Sequence, residues 1–376
     1  MCTSWSRRHR AKVLPVTGET IALVQPPLGV QPREMAVFMD TDPPYDPGRA
    51  AEESAGLRAA LESFGTRTLA PCEILAEVPR DELVDLALAA TSVDDEQRLY
   101  SAHAALQRWS SQDLVSIVLN QPRLVLEEST ELAEISPDSA YESYVIRPLF
   151  GLMFPRDHYV DLGGAVALGR LRRRDRAREV AVMDAVLRRL RDRPAEVTVT
   201  EPHHFEGGDL VAYGDVAVLN TGFRTGVATH ELLRTSLESN FQNVLCVRDS
   251  LRRSSEFHLD HWFALGPGLA LVSAERLDCT VVASALDARV TLRQALEALD
   301  IAVLPVAAEQ IAAFAANILF LPGRSAVIVS DQCASWAEST LGRFGVEVIA
   351  VPFGEHHKQS GSIHCAVNML RLHPAP

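Results

Sequence analysis

Four short stretches of the sequence concentrate chemically capable side chains beside glycine or other small residues. They are FPRDHYV (154–160), HHFEGGDLV (203–211), FHLDHWF (257–263) and SGSIHC (360–365). Charged side chains in apolar surroundings cost free energy unless they are paired or used. Because three of the stretches combine charge with aromatic or aliphatic neighbours, and the fourth places a histidine beside a cysteine, they predict a functional site.

A cysteine nucleophile is the first chemistry that these stretches suggest. Cys365 follows a small, flexible Gly-Ser approach. A cysteine reacts near neutral pH only when a base or a cation stands beside it. His258 or His364 could serve as that base, and Glu206 or Asp209 could orient the histidine.

Two carboxylates suggest what such a site would bind. Asp157 and Asp260 each lie among aromatic residues in the sequence, and paired charge-assisted hydrogen bonds from two carboxylates suit a planar cation. The same stretches are rich in histidine and acid, so a metal site is the rival interpretation. Their spacing matches neither HExxH nor a calcium-binding loop, and we expect no metal and no organic cofactor. Taken singly, each residue could equally be a satisfied core or surface group.

The composition is that of an ordinary soluble globular protein. The 376 residues are 47% hydrophobic and 23% charged, with a net charge of −13, which argues against nucleic acid or an anionic membrane as partner. No apolar run approaches the length of a membrane helix, and the basic N-terminus lacks a signal-peptide core. Six scattered cysteines without a CxxC pair indicate reduced thiols in a cytoplasmic protein.

Short β-rich runs alternate with helical patterns along most of the chain. The predicted strands lie in 20–27, 66–71, 165–171, 195–201, 215–223, 244–248, 270–277, 318–323, 325–330 and 346–353. The predicted helices lie in 49–65, 179–193, 229–241, 292–300 and 334–345. The rhythm of strand, strand, helix, strand predicts an α/β fold.

One block breaks this rhythm, and one segment falls outside it. Residues 72–135 have helical spacing and predict an insertion of about three helices. Residues 1–17 read as a tail, and no linker divides 18–376, which we expect to form a single catalytic domain.

Taken in order, the motifs resemble those of arginine deiminase in the guanidino-group-modifying superfamily, the penteins. The matching segments are PRD (155–157), EGGD (206–209), FRT (223–225), HLD (258–260) and GSIHC (361–365). RARE (176–179), AANILFL (315–321) and the position of the helical insertion agree as well. The resemblance extends over about residues 18–370.

The resemblance implies a fold and a reaction. The fold would be a pentein α/β-propeller of five ββαβ modules around a pseudo-fivefold axis, with a helical insertion. The reaction would be deimination of L-arginine, or a close derivative, to citrulline and ammonia, by a hydrolase acting on C–N bonds of linear amidines. Cys365 would form a covalent amidino-thioether, Asp157 and Asp260 would hold the guanidinium, and His258, oriented by Glu206, would act as acid and then base.

The resemblance also implies contacts to the rest of the substrate. Arg176 and Arg224 match arginines that bind the α-carboxylate, Phe154 and Asn317 would line the site, and Asp209 would contact the amine.

The loop before the cysteine departs from the family pattern. The family usually carries an arginine there that reaches the substrate carboxylate, whereas this chain has Ser360, with Lys358 close by. His158 and His261 replace small residues that often follow the two aspartates. Ser360 and Lys358 therefore join the candidate substrate-binding residues, and a modified arginine or a guanidino pathway intermediate stays open as substrate.

Three other functions remain possible at this point. An amidinotransferase would pass the amidino group to an acceptor amine, a hydrolase of methylated arginines would act on a related substrate, and a non-catalytic pentein would serve as a binding scaffold. The expected partner is a small guanidino substrate, without nucleic acid or membrane, and a homo-oligomer is left open.

Overall fold

The computed structural model describes residues 19–28, 45–91, 102–128, 140–163, 165–192, 194–283 and 290–372 of the chain. The predicted tail at 1–17 lies outside these residues. The strands are β1 (Glu19–Leu23), β2 (Arg67–Leu69), β3 (Pro122–Glu128), β4 (Ala140–Ile146), β5 (Tyr159–Asp161), β6 (Val166–Leu168), β7 (Val197–Thr198), β8 (Leu210–Tyr213), β9 (Val216–Thr221), β10 (Asn243–Arg248), β11 (Phe263–Gly266), β12 (Leu269–Ser273), β13 (Thr280–Ala283), β14 (Val290–Thr291), β15 (Ala302–Val306), β16 (Leu319–Phe320), β17 (Ala326–Ser330), β18 (Glu347–Val351) and β19 (Asn368–Leu372). The helices are α1 (Pro47–Ser63), α2 (Pro71–Leu75), α3 (Arg80–Ala90), α4 (Ser111–Asn120), α5 (Ala177–Arg191), α6 (Val227–Asn240), α7 (Leu292–Ala298), α8 (Ala308–Ala312), α9 (Ala334–Leu341), α10 (Gly354–His357) and α11 (Ile363–Ala366).

Five small sheets share one strand pattern. In four of them, an antiparallel hairpin is followed by a strand that pairs in parallel with the hairpin's second strand. In the fifth, β19 takes the place of the first strand: it pairs antiparallel with β1, which pairs in parallel with β2. Parallel neighbours need a crossover connection, and a helix supplies it in every case. The alternation of strands and helices confirms the predicted α/β class. The five units are β19-β1-β2, β5-β6-β7, β8-β9-β10 (extended by β13 and β14), β11-β12-β15 and β16-β17-β18.

The two ends of the described chain meet in one sheet. Strand β19 pairs antiparallel with β1 over five residues, from Glu19↔Leu372 to Leu23↔Asn368. This pairing fixes the segment immediately after Cys365 against the N-terminal strand. The nucleophile candidate is therefore held by a long-range contact and not by its local sequence alone.

Helix α1 illustrates how the crossover helices begin and end. The Asp46 side chain accepts hydrogen bonds from the backbone N–H groups of Gly48 and Arg49, at 2.9 and 3.2 Å, and Pro47 occupies the first helical position. Gly65, with φ of +81°, follows its C-terminal end. The helix predicted at 49–65 is confirmed, and it begins two residues earlier because of this cap.

The predicted helical insertion is confirmed in its first part only. Helices α2, α3 and α4, with a further helical turn at 102–106, occupy 71–120. Their apolar faces pack with α5 in one buried cluster. From Pro122 the chain is instead β3, which pairs antiparallel with β4. Residues 92–101 and 129–139 of this region lie outside the described residues.

Five short turns precede the first strands of the five units, and they carry the predicted site. They are Pro155–Asp157, Gly207–Asp209, Leu259–His261, the bend at Asn317 and helix α11. The first three contact one another in chain order, and α11 contacts the first. Asn317 links the third turn to helix α11, because its side chain donates hydrogen bonds to the Asp260 carbonyl and to Cys365 Sγ. The fold thus delivers one turn from each unit to a common centre.

A buried arginine anchors the segment that leads into the third of these turns. Arg276 is fully buried, its Nε donates to Asp249 Oδ1 at 3.1 Å, and it also pairs with Glu256. Its guanidinium lies 4.9 Å from the centre of the Trp262 ring. Glu256 lies two residues before His258, so this network fixes the approach to the site.

We expect Arg276→Met to lower the free energy of unfolding by about 3–5 kcal/mol, because two acidic side chains lose a buried cationic partner. Urea unfolding followed by circular dichroism measures the change. Arg253→Met is the matched control: Arg253 also pairs with Glu256 and with Glu275, but at the surface, and the expected loss is about 0–1 kcal/mol. Equal losses in the two variants would show that the buried network does not anchor this segment.

Candidate active site

Cys365 is buried in α11 and bound on two sides. Nδ2 of Asn317 donates to its Sγ at 3.0 Å, and its backbone N–H donates to Asn317 Oδ1 at 3.2 Å. Sγ lies 3.5 Å from Asp260 Oδ2. Burial, together with the charges of Asp260 and Asp157, raises the pKa of Cys365 well above its usual value. The thiol is therefore neutral in this environment.

The loop that delivers Cys365 depends on one glycine. A Cβ at Gly361 would lie 2.5 Å from the Phe154 ring, so only glycine lets the loop pass this ring. Ser360 has a left-handed backbone with φ of +61°. His357 Nε2 and Ser362 Oγ, 2.9 Å apart, hold the loop from the other side. The loop is thus shaped by close packing and not by a run of glycines.

His258 and Glu206 form a buried ion pair. His258 Nε2 and Glu206 Oε2 lie 2.7 Å apart, and both side chains are fully buried. Burial lowers the pKa of His258, but the charge of Asp157 and the hydrogen bond with Glu206 outweigh it and raise that pKa to about 9. Burial raises the pKa of Glu206, but His258, with nearby arginines, lowers it to about 2. At neutral pH the pair is imidazolium and carboxylate.

The second glycine of EGGD, Gly208, lets the imidazole of His258 lie close to the backbone beside Glu206. A Cβ at Gly208 would lie 2.6 Å from Nδ1 of His258. The other oxygen of Glu206, Oε1, accepts a hydrogen bond from the backbone of Arg172 at 2.8 Å. Both oxygens of the carboxylate are therefore fixed, and so is the plane of the imidazole.

The two predicted cation-binding carboxylates flank the nucleophile. Asp157 Oδ1 lies 3.6 Å from His258 Nδ1, and its Oδ2 accepts from Arg176 at 2.8 Å. Asp260 Oδ2 is 2.9 Å from Nδ1 of His364. Burial raises the pKa of Asp260, but the hydrogen bond from His364 and the nearby histidines lower it to about 2. Both carboxylates are placed to hold positive charge next to Sγ.

His364, the sequence neighbour of Cys365, is occupied elsewhere. Its Nδ1 bonds Asp260, and burial lowers its pKa, so it is a neutral donor to that carboxylate. Of the two histidines considered as base, His258 is therefore the one that faces the reacting centre.

A cavity of about 580 Å³ opens onto these groups. Asp260, Glu206 and Asn317 do not line it; they lie behind the wall and bond to residues that do. Asn317 thus holds Cys365 in place, which differs from its expected role as a lining group. The predicted residues in the cavity wall are Phe154, Asp157, Arg176, Arg224, His258, Ser360 and Cys365.

The two arginines expected to bind a carboxylate both reach the cavity. Arg176 is already bonded to Asp157 and, through Nε at 2.8 Å, to Glu179. Arg224 lies 3.6 Å from Glu206, and its guanidinium stacks 4.7 Å from the centre of the Phe257 ring. The Nε of Arg224 is buried without a hydrogen-bond partner among the described residues. Arg224 therefore keeps more donor capacity for a ligand than Arg176 does.

Asp209 lies away from the cavity wall, contrary to the expected contact with a substrate amine. Its carboxylate accepts hydrogen bonds from Asn220 Nδ2 at 2.8 Å, from the Thr225 backbone at 3.2 Å and from the Leu259 backbone at 3.0 Å. Burial raises the pKa of Asp209 to about 6. Its acceptor sites are used inside the protein, where they tie the Arg224 loop to the His258 segment.

Lys358 also differs from its expected role. It does not line the cavity, and its Nζ donates to both carboxylate oxygens of Glu355, at 2.8 and 2.9 Å. Ser360 alone of this pair faces the cavity.

Glu179 and Gln359 line the cavity, and His158 bonds Glu179 from behind the wall; the sequence predicted no role for these three residues. His158 Nε2 lies 3.0 Å from Glu179 Oε2, which makes a buried chain from His158 through Glu179 and Arg176 to Asp157. Gln359 lines the cavity, and both polar atoms of its amide are buried without a partner among the described residues. His158 stood out in the sequence as a replacement of a small residue; Gln359 carried no such signal.

Two groups of side chains have donor atoms close enough to hold a metal ion. They are Asp157, Glu206 and His258, and His258, Asp260 and His261, with ligand atoms within 4.8 Å in each group. The same atoms make the hydrogen bonds described above. The expected absence of a metal stays a prediction.

None of the described helices is both long and apolar enough to cross a membrane.

Solved structures share this fold at low sequence identity. The N-terminal domain of ArgZ bound to product, described as an arginine dihydrolase from the ornithine-ammonia cycle in Cyanobacteria, is 15% identical with a TM-score of 0.58, over 94% of this chain and 97% of that one. AgrE in complex with ornithine and NAD⁺ is 16% identical with a TM-score of 0.57, and the match covers 95% of this chain but 40% of AgrE. A dimethylarginine dimethylaminohydrolase adduct is 15% identical with a TM-score of 0.55, over 94% of this chain and 100% of that one.

Among curated protein sequences, none matches this chain significantly. A model of the arginine deiminase family, by contrast, matches residues 42–371. With that match across most of its length, and with the pentein superfamily structures as its structural neighbours, this chain belongs to the arginine deiminase family.

Proposed function

We propose that this protein hydrolyses the guanidinium of L-arginine, or of a close arginine derivative, to a ureido product and ammonia. The observation that carries the proposal is that a buried cysteine, an imidazolium–carboxylate pair and two further carboxylates lie together in the wall of one cavity or directly behind it. The family match supports the same reaction class. A non-catalytic scaffold would not need this set of costly buried charges.

In the first half of the reaction, the guanidinium binds between Asp157 and Asp260. Its positive charge favours the thiolate, so the thiol releases its proton to solvent, and Cys365 Sγ attacks the guanidinium carbon to form a neutral tetrahedral adduct. His258 gives a proton to one nitrogen, the C–N bond breaks, and ammonia leaves. The cysteine then carries a cationic amidino-thioether, and the imidazole is neutral.

In the second half, water attacks the same carbon. His258 takes a proton from the water and returns to the imidazolium form. The new tetrahedral adduct expels the Cys365 thiolate, and the hydroxyl loses its proton to leave the neutral ureido product. Glu206 stabilises the imidazolium in both halves and keeps Nδ1 directed at the reacting groups.

The arginines of the cavity wall suit a tail that carries a carboxylate. Arg224 and Arg176 both line the cavity, and Arg176 keeps N–H groups beyond those used by Asp157, Glu179 and the Gly151 carbonyl. The Phe154 ring and Ser360 border the same space and would contact the aliphatic part.

We also infer that the five units close into a ring, as in a pentein propeller. A second cavity, of about 200 Å³, is lined by residues of β5, β8, β11, β16 and β19, the first strands of all five units. Walls from five equivalent strands are what an axial channel requires. Arg156 and His364 also line this cavity, beside the turns that carry the proposed active site.

The first test is the product. Incubation with L-arginine should yield equal amounts of ammonia and citrulline, and an added acceptor amine such as glycine or lysine should not change them. A new guanidino compound and ornithine, formed only with the amine, would identify an amidinotransferase instead. The enzyme interpretation fails if no guanidine turns over and mass spectrometry detects no adduct on Cys365.

The second test removes the nucleophile. Cys365→Ala should reduce turnover by at least about 1,000-fold, while arginine still binds and circular dichroism is unchanged. Cys72→Ala, a half-buried thiol far from the cavity in sequence and in its contacts, is the matched control and should keep wild-type turnover. Wild-type turnover by Cys365→Ala would rule out the covalent mechanism.

The third test concerns the ion pair. In Glu206→Gln, His258 loses a negative charge and its pKa falls from about 9 towards the ordinary histidine value. Because His258 must be protonated when ammonia leaves, the alkaline limb of kcat/KM should move down by at least about 1 pH unit. We expect kcat to fall by about 100-fold, with a smaller effect on arginine binding.

Glu201→Gln serves as control for this pH profile, since Glu201 is exposed and pairs with Arg170 at the surface. Its profile should match that of the wild type. An alkaline limb that stays in place in Glu206→Gln would mean that another group protonates the leaving nitrogen.

A further inference from the structure

Three buried polar atoms near Cys365 have no hydrogen-bond partner among the described residues. They are His258 Nδ1, Asp260 Oδ1 and His261 Nε2. The three residues form one cluster, since each has a nitrogen or carboxylate oxygen within 4.8 Å of such atoms of the other two. Buried polar atoms almost always find a partner, so a cluster that holds three unpartnered atoms suits a small polar group that enters during the reaction.

Two of these atoms belong to residues already placed in the reaction, but His261 has no role in it so far. Its side chain is 3% exposed and lines the same cavity as Cys365 and His258. Its ring lies 4.5 Å from the Phe257 ring and 5.9 Å from the Phe314 ring, measured between centroids. The two aromatic rings pack against the imidazole of His261. Its Nε2 has no hydrogen-bond partner among the described residues.

The charge state of His261 suits a proton acceptor. Burial lowers its pKa, as does the charge of His258, while Asp260 and Asp157 and a hydrogen bond with the Ser255 backbone act in the opposite direction. The net effect is a neutral imidazole at pH 7 with a basic nitrogen.

The proton balance of hydrolysis calls for such an acceptor. The attacking water loses two protons before the ureido product is neutral, and His258 can take only the first. The second leaves the hydroxyl when the C–S bond breaks and the thiolate departs with the bonding electrons. Glu206 and Asp260, with pKa values of about 2, are poor acceptors for it.

We propose that His261 is the second base of the site: its Nε2 holds the hydrolytic water together with His258 and takes the second proton as the thioether collapses. His261 then passes this proton to the Cys365 thiolate, which returns to the neutral thiol, while the ammonia released earlier takes up the proton that the thiol lost at the start, so that ammonium is the net product. The proposal rests on the hydrolytic function proposed above, and it assigns His261 to the second half-reaction only.

The test separates the two half-reactions in His261→Asn and His261→Gln, neither of which can accept a proton. Each variant is mixed with L-arginine and quenched at intervals; ammonia is assayed, and intact-mass spectrometry measures the Cys365 adduct. We expect a burst of about one ammonia per site at the wild-type rate within about twofold, followed by adduct breakdown that is about 100-fold slower. Added imidazole should restore part of the breakdown rate.

His230→Asn is the matched control, because His230 lies on α6 away from the cavity, and its adduct should not accumulate. Thermal unfolding shows which variants are folded. If the folded His261 variants break down the adduct at the wild-type rate, or lose the ammonia burst as well, His261 is not the second base. If the wild-type protein itself gives neither ammonia nor adduct, the proposed function fails, which is a different result.

Discussion

The buried hydrogen bond between Glu206 and His258 is the contact on which the rest of the site depends. Removing two charges from water costs several kcal/mol for each ion, and only their close pairing offsets that cost. The pair needs a glycine at 208, because a side chain there would overlap the imidazole. It also needs the Arg172 backbone to satisfy the second carboxylate oxygen. Once the pair is formed, His258 is a stable imidazolium, and Asp157 acquires a cationic neighbour.

The fold supplies this pair from two different units. Glu206 precedes the turn Gly207–Asp209 and His258 precedes the turn Leu259–His261, so the hydrogen bond joins neighbouring sheets. Asp209 ties the same two segments through three hydrogen bonds and never meets the cavity. Asp209, which the sequence made a candidate for orienting the histidine or contacting a substrate amine, thus holds two segments of the fold together. The nearby Glu206 and His258 form the ion pair instead.

All second strands and crossover helices of the repeated units, and all parallel strands except β15, could be predicted from the sequence, but of the first strands only β16 could. Strands β5, β8, β11 and β19 each begin within a few residues of a candidate catalytic or supporting polar group. β5 and β11 are short and largely buried on both faces, so they lack the alternation that marks a half-exposed strand. β3 was hidden for another reason, because its partner β4 lies beyond the predicted insertion.

In the site, too, some features could be predicted from the sequence and others could not. The order of the motifs predicted Cys365, His258, Glu206 and both aspartates as one group, and the structure brings them together. The surroundings of the loop before Cys365 were beyond reach of the motifs. They did not predict that Lys358 pairs with Glu355, or that the Gln359 amide is buried without a partner among the described residues. Local spacing carries no information about which side of a loop faces a cavity.

In the proposed reaction, the electrostatics of the site make the substrate part of its own activation. Cys365 is held as a neutral thiol by burial and by the negative charges of Asp260 and Asp157. A guanidinium bound between those aspartates cancels the charges that oppose ionisation, and it places a cation within reach of sulfur. The thiolate therefore forms when a planar cation is present and not before. A neutral ligand of the same shape would leave the thiol protonated, so the site selects for charge at the chemical step as well as at binding.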